Sequence, residues 1–318
     1  MKSFFSDCFN VSPELIRRYG ALNISLINDL PLFIDPFLLF HSEKHEYQEL
    51  HESIIKYIVF LKDKSINDSI NQALLIDWFT FPEVEENWLG FSVKGNKGRG
   101  PGQKFANSLH KNLKTVFRDF GSEEIYENSH LEKMCLIKDG IGRDNISDFT
   151  TNLIKDFLAR YTQTFAERYL SSEQVRKVPL NKAYFNYETQ NWVTKRYKLP
   201  FINNAHILLV PLDLLTKDES WINRNDLIYS CEEVARASSN EVILAQFNQY
   251  IARKVAEVEK TLPSNITKAK RKKIVEDAIE TFPEIIDEYI DSKSKDGDKA
   301  VAIAKERIDE VIDKSLNN

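Results

Sequence analysis

The sequence predicts an α+β fold: a small β-sheet flanked by helices over residues 1–227, then an all-helical segment over residues 228–318. Three observations lead there. Short apolar runs at 22–40, 134–137 and 205–211 are bounded by Asn, Asp, Gly and Pro, the usual punctuation of strands. Residues 181–200 interleave Tyr184, Phe185, Tyr187, Trp192 and Tyr197 with polar residues, the pattern of a half-buried hairpin. Beyond Leu227 the apolar repeats are helical, with breaks at Pro263, Pro283 and the 295–298 turn. With 42% apolar and 11% aromatic residues among 318, the chain can bury a proper core, which excludes wholesale disorder.

Charge and cysteine usage exclude further classes. A net charge of −5 is not that of a bulk polycation, so nucleic-acid binding requires a local basic patch. Cys8, Cys135 and Cys231 stand far apart, which fits reduced thiols and excludes a four-cysteine zinc site or a disulfide framework. The first ten residues lack an apolar signal core, and the clusters at 31–40 and 207–215 are far short of a bilayer span. A cytoplasmic protein with no membrane partner is expected.

Taken in order, residues 22–40 read as a β-hairpin turning at Asn28-Asp29. Asp35 ends its second run before Pro36, either as a cap for the next turn or as a base or metal ligand. Residues 41–64 are helical by periodicity. A helix that starts early would put His41 and His45 on one face, at zinc spacing but without the His-Glu-x-x-His order; exposed histidines are the plainer alternative. A further helix is expected over 67–78. Residues 88–104 then gather five of the ten glycines with Lys94, Lys97, Arg99 and Lys104. The helix expected after them carries Lys111, Lys114 and Arg118 on one face. Loop and helix can form one basic phosphate-binding surface, although the spacing matches neither a Walker A loop nor a dinucleotide fingerprint; a surface loop is the competing reading.

The densest polar stretch is 138–157, KDGIGRDNISDFTTNLIKDF. A short strand at 134–137, a glycine turn at Gly140 and Gly142, and a helix capped by Ser147 or Asp148 and running to about Leu170 are expected. Its buried stripe is Leu153, Ile154, Phe157, Leu158, Tyr161 and Phe165. Capping and turn formation account for Asp148 and Asp144. They leave Asn145, Thr150, Thr151 and Asn152 as a polar excess around the first turn, where an anion or a carboxylate-held divalent cation can sit. Downstream, the basic and aromatic mixture of 181–200 suits nucleic-acid bases and phosphates as well as a hairpin. Residues 205–211 form a buried strand, and Trp221, Asn223, Arg224 and Asp226 are candidates to line the same cleft. Helices follow over 241–260, 268–282, 284–292 and 298–316.

The segments DLPLFIDPFLLF, GIGRDNISDFTTNLI, HILLVP and FPEIIDEYIDSKSKDGDKA resemble stretches of a poorly characterised bacterial family associated with phage-defence and mobile-element genes. Its longer members carry a C-terminal restriction-endonuclease-like domain. The resemblance spans most of the chain and assigns chemistry to no residue. It implies a nucleic-acid-directed component of a defence or mobile-element system. No strand-borne Asp followed by Glu-x-Lys is present, so the resemblance also implies that a partner supplies the nuclease module.

Three readings follow. In the first, the 94–118 basic surface binds nucleic-acid phosphates beside the Asp144/Asp148 segment. In the second, the chain is itself a metal-dependent nuclease or phosphohydrolase: Asp144 and Asp148, with Asp35 or Glu188, hold Mg²⁺ or Mn²⁺ and activate water. In the third it is a scaffold, docking a protein partner or a second copy through the C-terminal helices.

Overall fold

The computed structural model of the chain describes residues 4–67, 70–90, 102–113, 130–133, 136, 143–217, 221–237, 241–261 and 267–316. Helices α1 (Phe5–Phe9), α2 (Pro13–Tyr19), α3 (Pro36–Phe40), α4 (His45–Ile66), α5 (Gln72–Phe79) and α6 (Gln103–Leu113) precede the pair α7 (Arg143–Leu153) and α8 (Lys155–Tyr169). The strands are β1 (Phe33–Ile34), β2 (Val175–Asn186), β3 (Asn191–Ile202), β4 (Ala205–His206) and β5 (Leu215–Thr216). The chain continues as α9 (Arg224–Ala237), α10 (Glu241–Thr261), α11 (Lys268–Thr281), α12 (Glu284–Lys295) and α13 (Gly297–Leu316). It is therefore α+β, with small antiparallel sheets ordered β2-β3-β4 and β1-β5, and among the described residues after 223 the regular elements are all helices.

The long hairpin forms as its alternation requires. Val178 opposes Tyr197 and Asn186 opposes Asn191, with a bulge between Leu180 and Tyr184 where Lys182 takes φ 51°. Its inner face buries Leu180, Ala183, Tyr197 and Leu199 against Ala159 of α8. At the far end Phe185 and Trp192 join Tyr57, Phe60 and Trp78 in an aromatic cluster with centroid separations of 4.9–5.4 Å.

The hairpin expected at 22–40 does not form. Leu22 N–H donates to Val210 O (3.0 Å), Phe5 N–H to Ile24 O (2.9 Å), and Phe33 and Ile34 pair with Thr216 and Leu215. Leu32, Phe33 and Ile34 are buried, so long-range burial outweighs the local turn signal of Asn28-Asp29, and Asp29 is itself buried. The expected strand 134–137 fails at its one described residue, Leu136, which is helical and buried. Residues 205–211 are largely buried, yet only Ala205–His206 join a ladder. Leu208 N–H reaches Glu86 O (2.9 Å) and Leu209 N–H the Thr162 hydroxyl (2.8 Å), so separate elements satisfy this backbone. Helix α5 starts at Gln72 rather than at 67, because Asn67 closes α4 while Asn71 Oδ1 accepts Leu74 N–H (2.9 Å).

The C-terminal helices fold back on the body, and Ile286, Tyr289, Ile290, Ala300 and Ile308 share its main hydrophobic core. Trp221 Nε1–H donates to Lys293 O (2.9 Å), and the Lys293 ammonium lies 4.0 Å from the Trp221 ring centroid and 2.8 Å from Asp226. Tyr289 donates to Asp226 (2.8 Å), and Arg17 pairs with Asp309 (3.1 Å). At Gly297 an added β-carbon would lie 2.2 Å from His41 Nδ1, so α13 can only start this close to α3 with glycine there. Trp221, Asn223, Arg224 and Asp226 thus clamp the helical segment to the body rather than lining a cleft.

Candidate functional site

Helix α7 begins by Arg143, a turn earlier than expected, so Ser147 and Asp148 lie inside it and cap nothing. The helical register breaks at Ile154, giving α7 and α8 where one helix was expected, while the apolar stripe Leu153, Ile154, Phe157, Leu158, Tyr161 and Phe165 packs into the core as expected. Ile146 and Phe149 are also buried there, Phe149 lying 3.9 Å from the Phe81 ring centroid.

The polar excess turns out to hold this helix in place. Ser147 Oγ accepts Ile34 N–H of β1 (2.9 Å). Thr150 and Thr151 donate to the carbonyls of Ile146 and Ser147 (2.8 and 2.7 Å), and Asn152 donates to Pro82 O and Asp148 O (2.7 and 2.8 Å). Lys155, whose pKa burial lowers to about 8, donates to Asn152 Oδ1 (2.9 Å). All are buried, so these groups satisfy one another, as buried polar groups must. Asn145 is half-buried.

Asp144 and Asp148 differ. Four residues apart, they share one helix face, and no hydrogen bond or ion pair to either carboxylate is found among the described residues. Two loops bring Glu83 and Asp29 to the same place. Gly90 marks the convergence: a β-carbon there would stand 3.7 Å from Glu83 Oε1, 3.8 Å from Asp29 Oδ2 and 3.9 Å from Asp144 Oδ1. The loop is pinned by Leu30 N–H to Trp88 O and Gly90 N–H to Leu30 O (both 2.9 Å), and Gly90 takes φ +133°, open to glycine alone without strain.

Burial first, then the charges of Asp144, Glu83 and Asp29, push the Asp148 carboxyl up to about 8. Burial also raises Asp144, partly offset by the neighbouring Arg143 guanidinium. Near neutral pH the protonated form of Asp148 is therefore favoured. Among the described residues no three His, Cys, Asp or Glu side chains are already placed to hold a metal ion. The carboxylates are neighbours, with a proton standing where a cation would compete.

The other expected site residues fall elsewhere. Asp35 is the N-cap of α3, accepting Phe37 N–H (3.1 Å) and Trp221 N–H (2.9 Å). Glu132 lies close to it, and burial together with the Asp35 charge raises the Glu132 carboxyl well above the usual range. Glu188 sits exposed in the turn between β2 and β3, its N–H bonded to Asn186 Oδ1 (2.9 Å). Neither Asp35 nor Glu188 is among the charges that act on Asp148. His41 caps α3 and reaches Asp298 (3.0 Å), whereas His45 opens α4 beside Glu49 (3.2 Å), so they share no helix face. Lys94, Lys97, Arg99, Lys114 and Arg118 lie outside the described residues, as do Gly140 and Gly142; Lys104 is in the first turn of α6, and Lys111 is exposed on that helix.

Sequence reasoning missed Glu83, Asp29 and Gly90. By sequence Asp29 reads as a turn residue, and Glu83 is one acid of the run Glu83, Glu85, Glu86. The single available signal was Gly90, which opens the glycine-rich stretch.

Fold and site together define an α+β protein with a partly protonated four-carboxylate cluster between one helix and two loops. The chain belongs to the family described as Domain of unknown function (DUF8370), whose model matches residues 10–223 and so includes all four carboxylates. No curated protein and no solved structure matches it.

Proposed function

We propose that this chain is a nucleic-acid-directed protein of a bacterial defence or mobile-element system, and that its working centre is the carboxylate cluster, acting as a metal-dependent nuclease or phosphohydrolase. The observation that carries this reading is Asp148, whose pKa of about 8 arises beside Asp144, Glu83 and Asp29. Asp144 and Asp148 would hold Mg²⁺ or Mn²⁺, with Glu83 and Asp29 completing the acidic wall. When bound, such a cation supplies charge neutralisation and a more acidic water for phosphate-ester displacement. Without it Asp148 holds the proton that relieves the repulsion. No helix among the described residues is long and apolar enough to cross a membrane.

The test is degradation of labelled single- and double-stranded DNA and RNA with Mg²⁺ or Mn²⁺, alongside Mn²⁺ binding by calorimetry. Wild type is expected to bind Mn²⁺ and cleave at least one substrate, and Asp148→Asn and Asp144→Ala/Asp148→Ala to lose both. Cleavage that survives in both variants, or no Mn²⁺ uptake and no cleavage by wild type, overturns the proposal.

A further inference from the structure

Helix α13 is tied to the body at two levels and held off it in between. His41 Nε2 lies 3.0 Å from Asp298 at its start, and farther along Arg17 (3.1 Å) and Lys217 (3.7 Å) reach Asp309 and Glu310. Between these ties Val301, Ala304 and Ile308 recur at i, i+3 and i+7, so one face of the helix is turned toward Leu38, Leu212 and Leu215. The two walls do not close, and they leave a cavity of about 380 Å³. Protein interiors hold few voids larger than a water molecule, and roughly 300–1,000 Å³ is the usual size of a small-molecule site. Leu38, Leu215, Ala304 and Ile308 are buried along its walls, whereas Val301 is 41% exposed and leaves apolar surface uncovered.

Four charged side chains also line the cavity, and three are already engaged. Arg17 holds Asp309, while Asp213 accepts from the Lys44 ammonium and from the Tyr47 hydroxyl (2.9 Å). Lys305 is exposed and has no ion-pair partner among the described residues. The cavity therefore offers apolar walls and one uncompensated positive charge. A molecule that matches it is apolar over most of its length and carries a single negative group at one end. A neutral hydrocarbon leaves Lys305 unmatched, a cation is repelled by it, and a polyanion meets the carboxylates of Asp213 and Asp309 as well.

We infer that the seam between α13 and the body is a binding site for a small apolar monoanion, such as a medium-chain carboxylate, whose chain lies against Leu38, Leu215 and Ile308 and whose head pairs with Lys305. The site goes beyond the proposed phosphate-ester chemistry and shares no residue with the carboxylate cluster. Because the ligand touches the body and α13 together, its binding fastens the last helix in place and raises Tm.

The experiment is titration calorimetry of the full chain with decanoate and with decylamine, backed by melting curves, for wild type, Ala304→Phe and Lys305→Glu. Wild type should bind one decanoate per chain with a rise in Tm, and decylamine about tenfold more weakly. Lys305→Glu alters an exposed side chain and should reverse that order. Ala304→Phe builds a ring into the cavity and should lose both ligands; if it fails to fold, the reversal by Lys305→Glu decides alone. Equal affinity of wild type for the two ligands, or an unchanged order in Lys305→Glu, overturns the monoanion. Undiminished decanoate binding by a folded Ala304→Phe overturns the location, and no uptake by wild type overturns the site outright. A wild-type dimer in sedimentation that takes up no decanoate and dissociates in Ala304→Phe would give the seam to a second copy of the chain and overturn the ligand.

Discussion

Two buried acidic groups in this protein look alike in composition and differ in what surrounds them. Asp35 and Glu132 are fully buried, and Asp35 has a specific job: it accepts the N–H groups of Phe37 and Trp221, fixing the start of α3 and tying the entry of the helical segment to the body. Asp148 and Asp144 sit in a partly open cluster, accept no hydrogen bond among the described residues, and face further carboxylates. Burial raises the acid in both places. Donors then lower Asp35, whereas like charges raise Asp148 further. A carboxylate surrounded by donors is part of the architecture; one surrounded by carboxylates holds on to its proton.

Breaking the first group should have the largest effect. Asp35→Ala strips the acceptor from the N–H groups of Phe37 and Trp221, so about 3 kcal/mol of stability should be lost. Chemical denaturation reads this directly, and a loss below about 1 kcal/mol would mean that Asp35 is not the strut described here.

The second group should show itself through pH. Asp148 titrates near 3.8 when unfolded and near 8 when folded, so its protonated form favours the native state. Its stabilising contribution is complete below pH 3.8 and is lost as pH rises through about 8, with a slope of up to about 1.4 kcal/mol per pH unit. His51 works in the opposite sense: burial and His130 lower it to about 3, so its contribution is present above pH 6.5 and fades as pH falls toward 3. Melting curves for wild type and Asp148→Asn between pH 5 and pH 8 separate the two. Wild type should lose Tm across the upper half of that range and the variant should not; parallel curves would remove Asp148 as the titrating group.

How much of this was legible in the sequence depends on distance along the chain. The β2–β3 hairpin and helices α10 to α13 were readable because period-2 and period-3.6 patterns are local and their breaks are explicit. The 22–40 segment was not, because its partners are Val210, Leu215 and Thr216, nearly two hundred residues away, and Asn28-Asp29 looks like a hairpin turn in any context. The site divides the same way. Asp144 and Asp148 share a helix face and could be picked out as a pair, whereas Glu83 and Asp29 arrive on separate loops, and no spacing rule links them. The Thr150, Thr151 and Asn152 cluster misled for a related reason: its hydrogen-bond partners are carbonyls, which a sequence does not display.

Two smaller changes sharpen the contrast. Gly90→Ala forces a β-carbon onto φ +133° while meeting the carboxylates only at ordinary contact distance, so backbone strain should dominate, at about 1–2 kcal/mol. Because Gly90 sits where Glu83, Asp29 and Asp144 converge, Mn²⁺ affinity should fall with it. An unchanged affinity beside the expected Tm loss would show that the loop does not set the geometry of the carboxylates.

The smallest effect runs the other way. Lys177→Glu turns a cross-strand repulsion with Lys198 into an attraction, and should stabilise the hairpin by about 0.5 kcal/mol. Lys198 already reaches Glu167 at 3.0 Å, which divides its charge between two partners and keeps the gain modest. Melting curves of the variant read the effect directly, and a Tm at or below that of wild type would show that Glu167 already relieves the repulsion at Lys198.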